Sequence, residues 1–205
     1  MRLHSELNDA ELLRSMIAGD EEALGALYQR RQAGVFRFAW QMSGSHTIAE
    51  DVTQEVFLFL IRDGHVFDPK KGSVNAFLMG VARNFVLRKL RGERAMISLG
   101  DDSEDDFSGD LADPDLSPLE DLTRTETIEN VRKAVLSLPE KYREVVVLCE
   151  LQELNYKETA EILECAIGTV RSRLHRGRAI LLEKLRPVRT ETEEGTALKS
   201  AGCFA

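Results

Sequence analysis

The run Asn155-Tyr-Lys-Glu-Thr-Ala-Glu-Ile-Leu-Glu-Cys-Ala-Ile-Gly-Thr-Val-Arg-Ser-Arg-Leu-His-Arg-Gly-Arg178 constrains the fold more than any other stretch. It reads as two short helices joined by a tight turn, the layout of a helix-turn-helix whose second helix enters the DNA major groove. At about 100° per residue, Leu174, Gly177, Leu181 and Leu185 fall near Val170 and form one inward stripe. Gly168, Thr169, Arg171, Ser172, His175 and Arg176 fall on the opposite side. From Cys165 to Arg186 there are six basic residues and one acid, Glu183. A basic amphipathic helix can also be a solvated face or lie on a membrane. The preceding helix, with Ala160 and Ile162-Leu163 at packing positions, favours the DNA reading.

The chain's net charge of −8 argues against nucleic acid only until it is partitioned. Residues 96–126 carry eleven acids and one base, Arg124, whereas 1–95 and 127–186 each carry a slight excess of base. Binding is decided by patches within about a Debye length, roughly 8 Å, of the DNA, so the acidic stretch does not forbid it. No run of about 18 apolar residues suggests a membrane span. Residues 1–9 lack the apolar core of a secretion signal. Cys149, Cys165 and Cys203 are an odd count without ligand spacing, so they read as reduced thiols, the first two as small core residues. The expectation is a cytoplasmic protein with no metal, no cofactor and no catalytic constellation.

Helical periodicity dominates both ends and strand signals are nearly absent. A first helix is expected over about 10–18. Asp20 caps a second that closes at Ser43-Gly44. Thr47-Ile-Ala-Glu50 reads as a capping box opening a third, to about Arg62. Gly64 to Gly72 is a loop, and a fourth helix runs from about Ser73 to Arg91. Residues 96–119, with the run Asp101-Asp-Ser-Glu-Asp-Asp106, have one sign of charge and little apolar content, the signature of a flexible tether. Helices resume near Leu119. Ser137-Leu-Pro-Glu140 opens another through Leu151, with proline in its first turn. The fold class is therefore all-α: a helical domain over 1–95, an acidic linker over 96–119, a separate helix-turn-helix domain over 120–186, and a disordered tail over 187–205.

This organisation resembles the extracytoplasmic-function (group IV) sigma factors of bacterial RNA polymerase. Ala49-Glu-Asp-Val-Thr-Gln-Glu-Val-Phe57 is similar to the family's region 2.2. Gly80-Val-Ala-Arg-Asn84 resembles the start of region 2.4, and 136–178 resembles regions 4.1 and 4.2. Three positions depart from the family pattern. Phe77 stands where tryptophan is frequent, and the turn carries Glu164 and Ala166 where small or helix-breaking residues are common.

In the third helix Val52, Val56, Phe59 and Leu60 must face a core, while Asp51, Gln54, Glu55 and Leu58 share another face. The resemblance implies that this acid-amide-acid row docks on the coiled coil in the clamp of the polymerase's largest subunit. It also implies that the loop before the fourth helix, and that helix, read the −10 element of promoter DNA. Holding an unpaired strand requires polar edge contacts and phosphate partners. Lys70, Lys71, Gly72, Ser73, Asn75, Arg83, Asn84, Arg88 and Arg91 are the candidates, whereas Phe77, Leu78, Val81 and Phe85 read as core. The six outward residues of the last helix are candidates for the −35 element. An anti-sigma factor or similar regulator is implied as a further partner, and the acidic linker is implied to thread the polymerase cleft. The rival readings are a stand-alone helix-turn-helix regulator, which leaves the Asp51 row unexplained, and a sigma-like adaptor without promoter activity.

Overall fold

The structure, a computed structural model, describes residues 6–97 and 118–186, and both stretches are helical. Its helices are α1 (Asp9–Ile17), α2 (Glu21–Ser43), α3 (His46–Asp63), α4 (Val74–Ile97), α5 (Pro118–Leu136), α6 (Glu140–Val146), α7 (Tyr156–Ile162) and α8 (Ile167–Lys184). A 3-10 turn covers Gly64–Val66, and a π-helical turn at Val147–Leu151 continues α6. No strand occurs among the described residues. Apart from the linker's ends, the acidic linker and the tail expected from the sequence lie outside the described residues.

Local chemistry sets the helix ends. The Asp20 carboxylate accepts from the amides of Glu22 and Ala23 at 3.0 and 3.2 Å, starting α2 where expected. Gly44 takes φ +79° and donates to the Trp40 carbonyl, ending that helix in a left-handed cap. The tight turn brings Ser45 straight into capping position, where its hydroxyl accepts from Ile48 N at 3.3 Å. The cap of helix α3 is thus Ser45, two residues before the expected Thr47. Helix α4 runs on to Ile97, past the expected end at Arg91. Asn155 and Glu158 form a reciprocal capping box at the start of α7.

Helices α1 to α4 enclose Leu12, Leu27, Phe38, Met42, Val56, Leu60, Leu78 and Met79, all fully buried. Helices α6 and α8 close on Leu148, Val145, Val170 and Leu174. Burying each such side chain stabilises the fold by about 1.5–3 kcal/mol before entropy is counted. The two cysteines expected in the core are only half-buried. Burial pushes the Cys149 thiol up, against a 3.4 Å contact with the Thr159 hydroxyl, so it is a poor nucleophile at neutral pH.

The two helical units, expected to stand apart, are packed together. Arg143 of α6 donates to the Met42 carbonyl at the end of α2 at 2.8 Å, and also to the carbonyls of Leu136 and Leu138. Gln152 bonds Gln41 at 3.2 Å. Leu136 presses on Gly44, where a Cβ would lie 3.2 Å from its methyl, and Gly80 of α4 faces Ile162 of α7. These contacts join residues about 100 positions apart, and no local periodicity encodes them.

Candidate nucleic-acid interface

Helix α8 lies on α6 through the inward stripe expected from its sequence: Val170, Leu174 and Gly177 are buried, Leu181 is half-buried and Leu185 is exposed. Gly177 lets the helices approach, since a Cβ there would sit 2.8 Å from Val146 Cγ2. Glu164 in the preceding turn takes φ 49°, a left-handed conformation that costs a non-glycine residue about 1 kcal/mol. Ala166, the N-cap of α8, offers no side-chain acceptor, so the first amides of the helix point outward where an anion would be favoured.

Gly168, Arg171, Ser172, His175 and Arg176 are exposed and Thr169 is half-buried, all on one side of α8. Ser172 is the least available to a ligand, because its hydroxyl donates to the Thr169 carbonyl at 3.0 Å. Arg178 is tied to Glu150 at 2.6 Å. Neither Arg171 nor Arg176 is held by a carboxylate among the described residues. A tyrosine side chain stands beside each. The Arg171 guanidinium lies 6.0 Å from the Tyr156 ring centre. Arg176 stands beside the Tyr142 hydroxyl and, with Lys141, holds that phenol below its ordinary range. The periodicity of α8 alone could not reveal Lys141, Tyr142 and Tyr156, because they reach this surface from α6 and α7.

A second basic surface lies on the loop after α3 and along α4. Asp68 folds the loop by accepting from Lys70 N at 3.0 Å, leaving the Lys70 and Lys71 side chains exposed. Gly72, at φ +153°, turns the chain into α4. Ser73 caps that helix, its hydroxyl accepting from Ala76 N at 3.1 Å. Asn84 and Arg91 are exposed and Asn75 is half-buried. Phe77 packs with Phe67 and Phe59, at ring separations of 5.5 and 6.3 Å, and Leu78 is fully buried, in keeping with the core reading.

Two of these candidates are occupied from the other unit. Ser73 donates from both its amide and its hydroxyl to Glu158 Oε1 of α7, at 3.0 and 2.6 Å. Arg83 Nε donates to Glu144 of α6 at 2.8 Å, and Glu144 is buried. Burial alone would raise the Glu158 carboxyl, but hydrogen bonds from Ser73 and Asn155 outweigh it and leave Glu158 below the usual carboxylate range. A depressed pKa contributes stability above the unfolded value, about 4.3, that is lost as pH falls through the folded value. The unfolding midpoint of the wild-type chain is therefore expected to fall towards that of Glu158→Gln as pH drops below about 4. A constant gap between the two down to pH 2 would contradict this.

The third surface is the face of α3. Asp51, Gln54 and Leu58 are exposed and Glu55 is half-buried, with Val52, Val56 and Leu60 turned inward and Phe59 half-buried. The two acids are not solitary. Lys89 of α4 bonds Asp51 at 2.7 Å and lies 3.4 Å from Glu55, while Arg88 also bonds Glu55. The Asp51 hydrogen bond, stronger than the opposing effect of burial, raises the Lys89 ammonium pKa above its ordinary value. The acid row and the basic side of α4 therefore share one ion-pair cluster at the surface. Next to it, an open apolar groove runs between α2, α3 and α5, lined by Tyr28, Trp40, Phe57, Leu58, Ile128 and Val131 among others.

Comparison with known proteins places these surfaces in two recognised modules. Residues 27–96 match the family described as Sigma-70 region 2, and residues 128–181 match Sigma-70, region 4. An ECF RNA polymerase sigma factor, SigE of Mycolicibacterium smegmatis, is 32% identical over 179 residues, covering 86% of this chain and 68% of that protein. SigW of Bacillus subtilis, another ECF factor, is 28% identical across 85% of this chain and 95% of its own. Among solved structures, RpoE of Bartonella quintana in complex with the anti-sigma factor NepR superposes with a TM-score of 0.62. It is 23% identical and covers 79% of this chain and 96% of its own, a likeness of fold.

Proposed function

Because the chain belongs to the sigma-70 family of RNA polymerase factors, in the extracytoplasmic-function branch, we infer how its two helical units divide promoter recognition. As such a factor it directs promoter-specific initiation of transcription. In our reading α8 reads the −35 element, the loop at 67–73 and α4 hold the −10 element, and the α3 face docks on core polymerase. The bounds 1–95 and 120–186 are the proposed limits of the two working units.

The observation that supports this reading is the outward side of α8, where Arg171 lies over the Tyr156 ring and Arg176 beside the Tyr142 hydroxyl, neither held by a carboxylate among the described residues. Arginine reads guanine O6 and N7 in the major groove, and each good contact is worth about 1–3 kcal/mol of discrimination. Arg171→Ala and Arg176→Ala are each expected to lower −35-dependent transcription by about 5- to 150-fold while leaving core-polymerase binding unchanged. Transcription in vitro from a mapped promoter, beside a pull-down with core enzyme, measures both. Wild-type output from either variant would remove α8 as the −35 reader. A stand-alone regulator would instead shift promoter DNA without polymerase, an outcome a gel shift distinguishes.

Lys70, Lys71 and Arg91 supply phosphate partners for the −10 strand, and Asn75 and Asn84 supply polar edges. The apolar groove between α2, α3 and α5 is the surface we assign to an anti-sigma partner, by analogy with the regulator bound to the Bartonella protein.

A further inference from the structure

Helix α6 brings a tyrosine to the outward side of α8, beside one of the two arginines that our reading gives to the −35 element. Gly177 allows the approach. A Cβ there would lie 2.8 Å from Val146 Cγ2 and 3.6 Å from both the Cβ and the carbonyl oxygen of Tyr142, so the two helices meet closely at the residue after Arg176. Tyr142 is half-buried in the first turn of α6, where its amide donates to the Pro139 carbonyl at 2.8 Å. We propose that Tyr142 is a positioning residue for promoter recognition: its phenol oxygen accepts from the Arg176 guanidinium and holds that side chain ready for the −35 duplex. The inference deepens the assignment of Arg176 to that duplex and rests on it.

Arg176 is exposed, and a long exposed side chain loses rotamer freedom when a ligand fixes it. That loss weakens binding by about 2- to 10-fold unless the free protein already holds the group in place. A tyrosine suits this task better than an acid. A carboxylate would neutralise the guanidinium that DNA must attract, whereas a neutral phenol accepts one N–H and leaves the charge and the other donors available. The surroundings of Tyr142 fit a phenol oxygen that faces cations. The hydrogen bond from Arg176 foremost, opposed by burial and aided by the Lys141 charge, draws the phenol below its ordinary value. Lys141 Nζ also lies 5.0 Å from the Tyr142 ring centre. Arg171 is held less closely, 6.0 Å from the Tyr156 ring centre and at the outer limit of a cation–π contact, so the effect falls on Arg176.

The test uses polymerase reconstituted with the full chain as wild type, Tyr142→Phe, Arg176→Ala or the double variant. Affinity for a fluorescein-labelled duplex carrying the −35 element of a mapped promoter is read by anisotropy. Phenylalanine removes only the phenol oxygen and keeps the ring beside Gly177, so the contact between α6 and α8 survives. The expected result is binding about 2- to 10-fold weaker for Tyr142→Phe than for wild type. In the Arg176→Ala background the same substitution should change nothing, because no guanidinium remains to be held. A tyrosine with a merely structural role would weaken binding by one factor in both backgrounds, since a shifted α8 displaces Arg171 as well. Wild-type affinity in Tyr142→Phe would overturn the proposal, as would an equal loss with and without Arg176. Failure of the underlying assignment looks different: Arg176→Ala by itself would then bind the duplex as tightly as wild type.

Discussion

Asp51→Arg combined with Gln54→Ala is expected to abolish stable association with core polymerase while leaving the fold intact. Both side chains lie on the open face of α3, so neither change creates a cavity. Arginine and alanine are both good helix formers. The partner surface implied for this face is basic, and reversing a charge within it both removes an attraction and adds a repulsion. Losing a hydrogen-bonded charge at an interface costs about 2–5 kcal/mol, a 30-fold to several-thousand-fold weakening. Inside the chain the damage is small. Lys89 loses an exposed ion pair, worth about 1 kcal/mol or less, and keeps Glu55 within 3.4 Å. Retention on immobilised core enzyme together with far-UV circular dichroism reads both halves. A variant that still co-purifies with core polymerase at wild-type yield would show that α3 docks elsewhere.

The largest effect on stability is expected at a glycine. Gly177→Val puts a Cβ 2.8 Å from Val146 Cγ2, and further methyls beyond it, into a contact also bounded by the Tyr142 backbone carbonyl. Val146 is 2% exposed and cannot swing aside. Helix α8 must lift off α6, at a cost of about 3 kcal/mol by overpacking, larger than the small gain from replacing a mid-helix glycine. Lifting α8 also moves Arg176 off Tyr142. Urea denaturation should show a lowered midpoint, and −35 duplex affinity should fall with it. A midpoint equal to wild type would mean the α6–α8 contact yields more easily than its geometry implies.

The parts of this molecule that were legible in its sequence are those coded over a few neighbouring residues. The α8 stripe, the Asp20 cap, the Gly44 stop and the exposed row Asp51, Gln54, Leu58 all follow from periods of three to four residues and from turn chemistry. The cap of α3 was misplaced by two residues, because Thr47-x-x-Glu50 satisfies the same pattern that Ser45 fulfils in space. What could not be read was pairing at a distance. Nothing local says that Glu144 will find Arg83, that Glu158 will find Ser73, or that Lys89 and Arg88 will close over the acids of α3. Arg83, Arg88 and Arg91 of α4 stand out in the sequence as candidates for the −10 strand, yet Arg83 and Arg88, like their neighbour Lys89, are matched by carboxylates within the fold. Tyr142 and Tyr156 escaped notice for the same reason, since their place beside α8 is set by how three helices meet.

Trp40 is the chain's single tryptophan, and its ring lies in α2 with the Arg132 guanidinium of α5 4.8 Å from its centre and His46 6.4 Å away. That cation reaches the indole from across the junction between the two units. The molecule thus carries an intrinsic optical gauge of whether its halves touch, since a change in indole emission on adding polymerase, DNA or salt would report their parting without any attached dye.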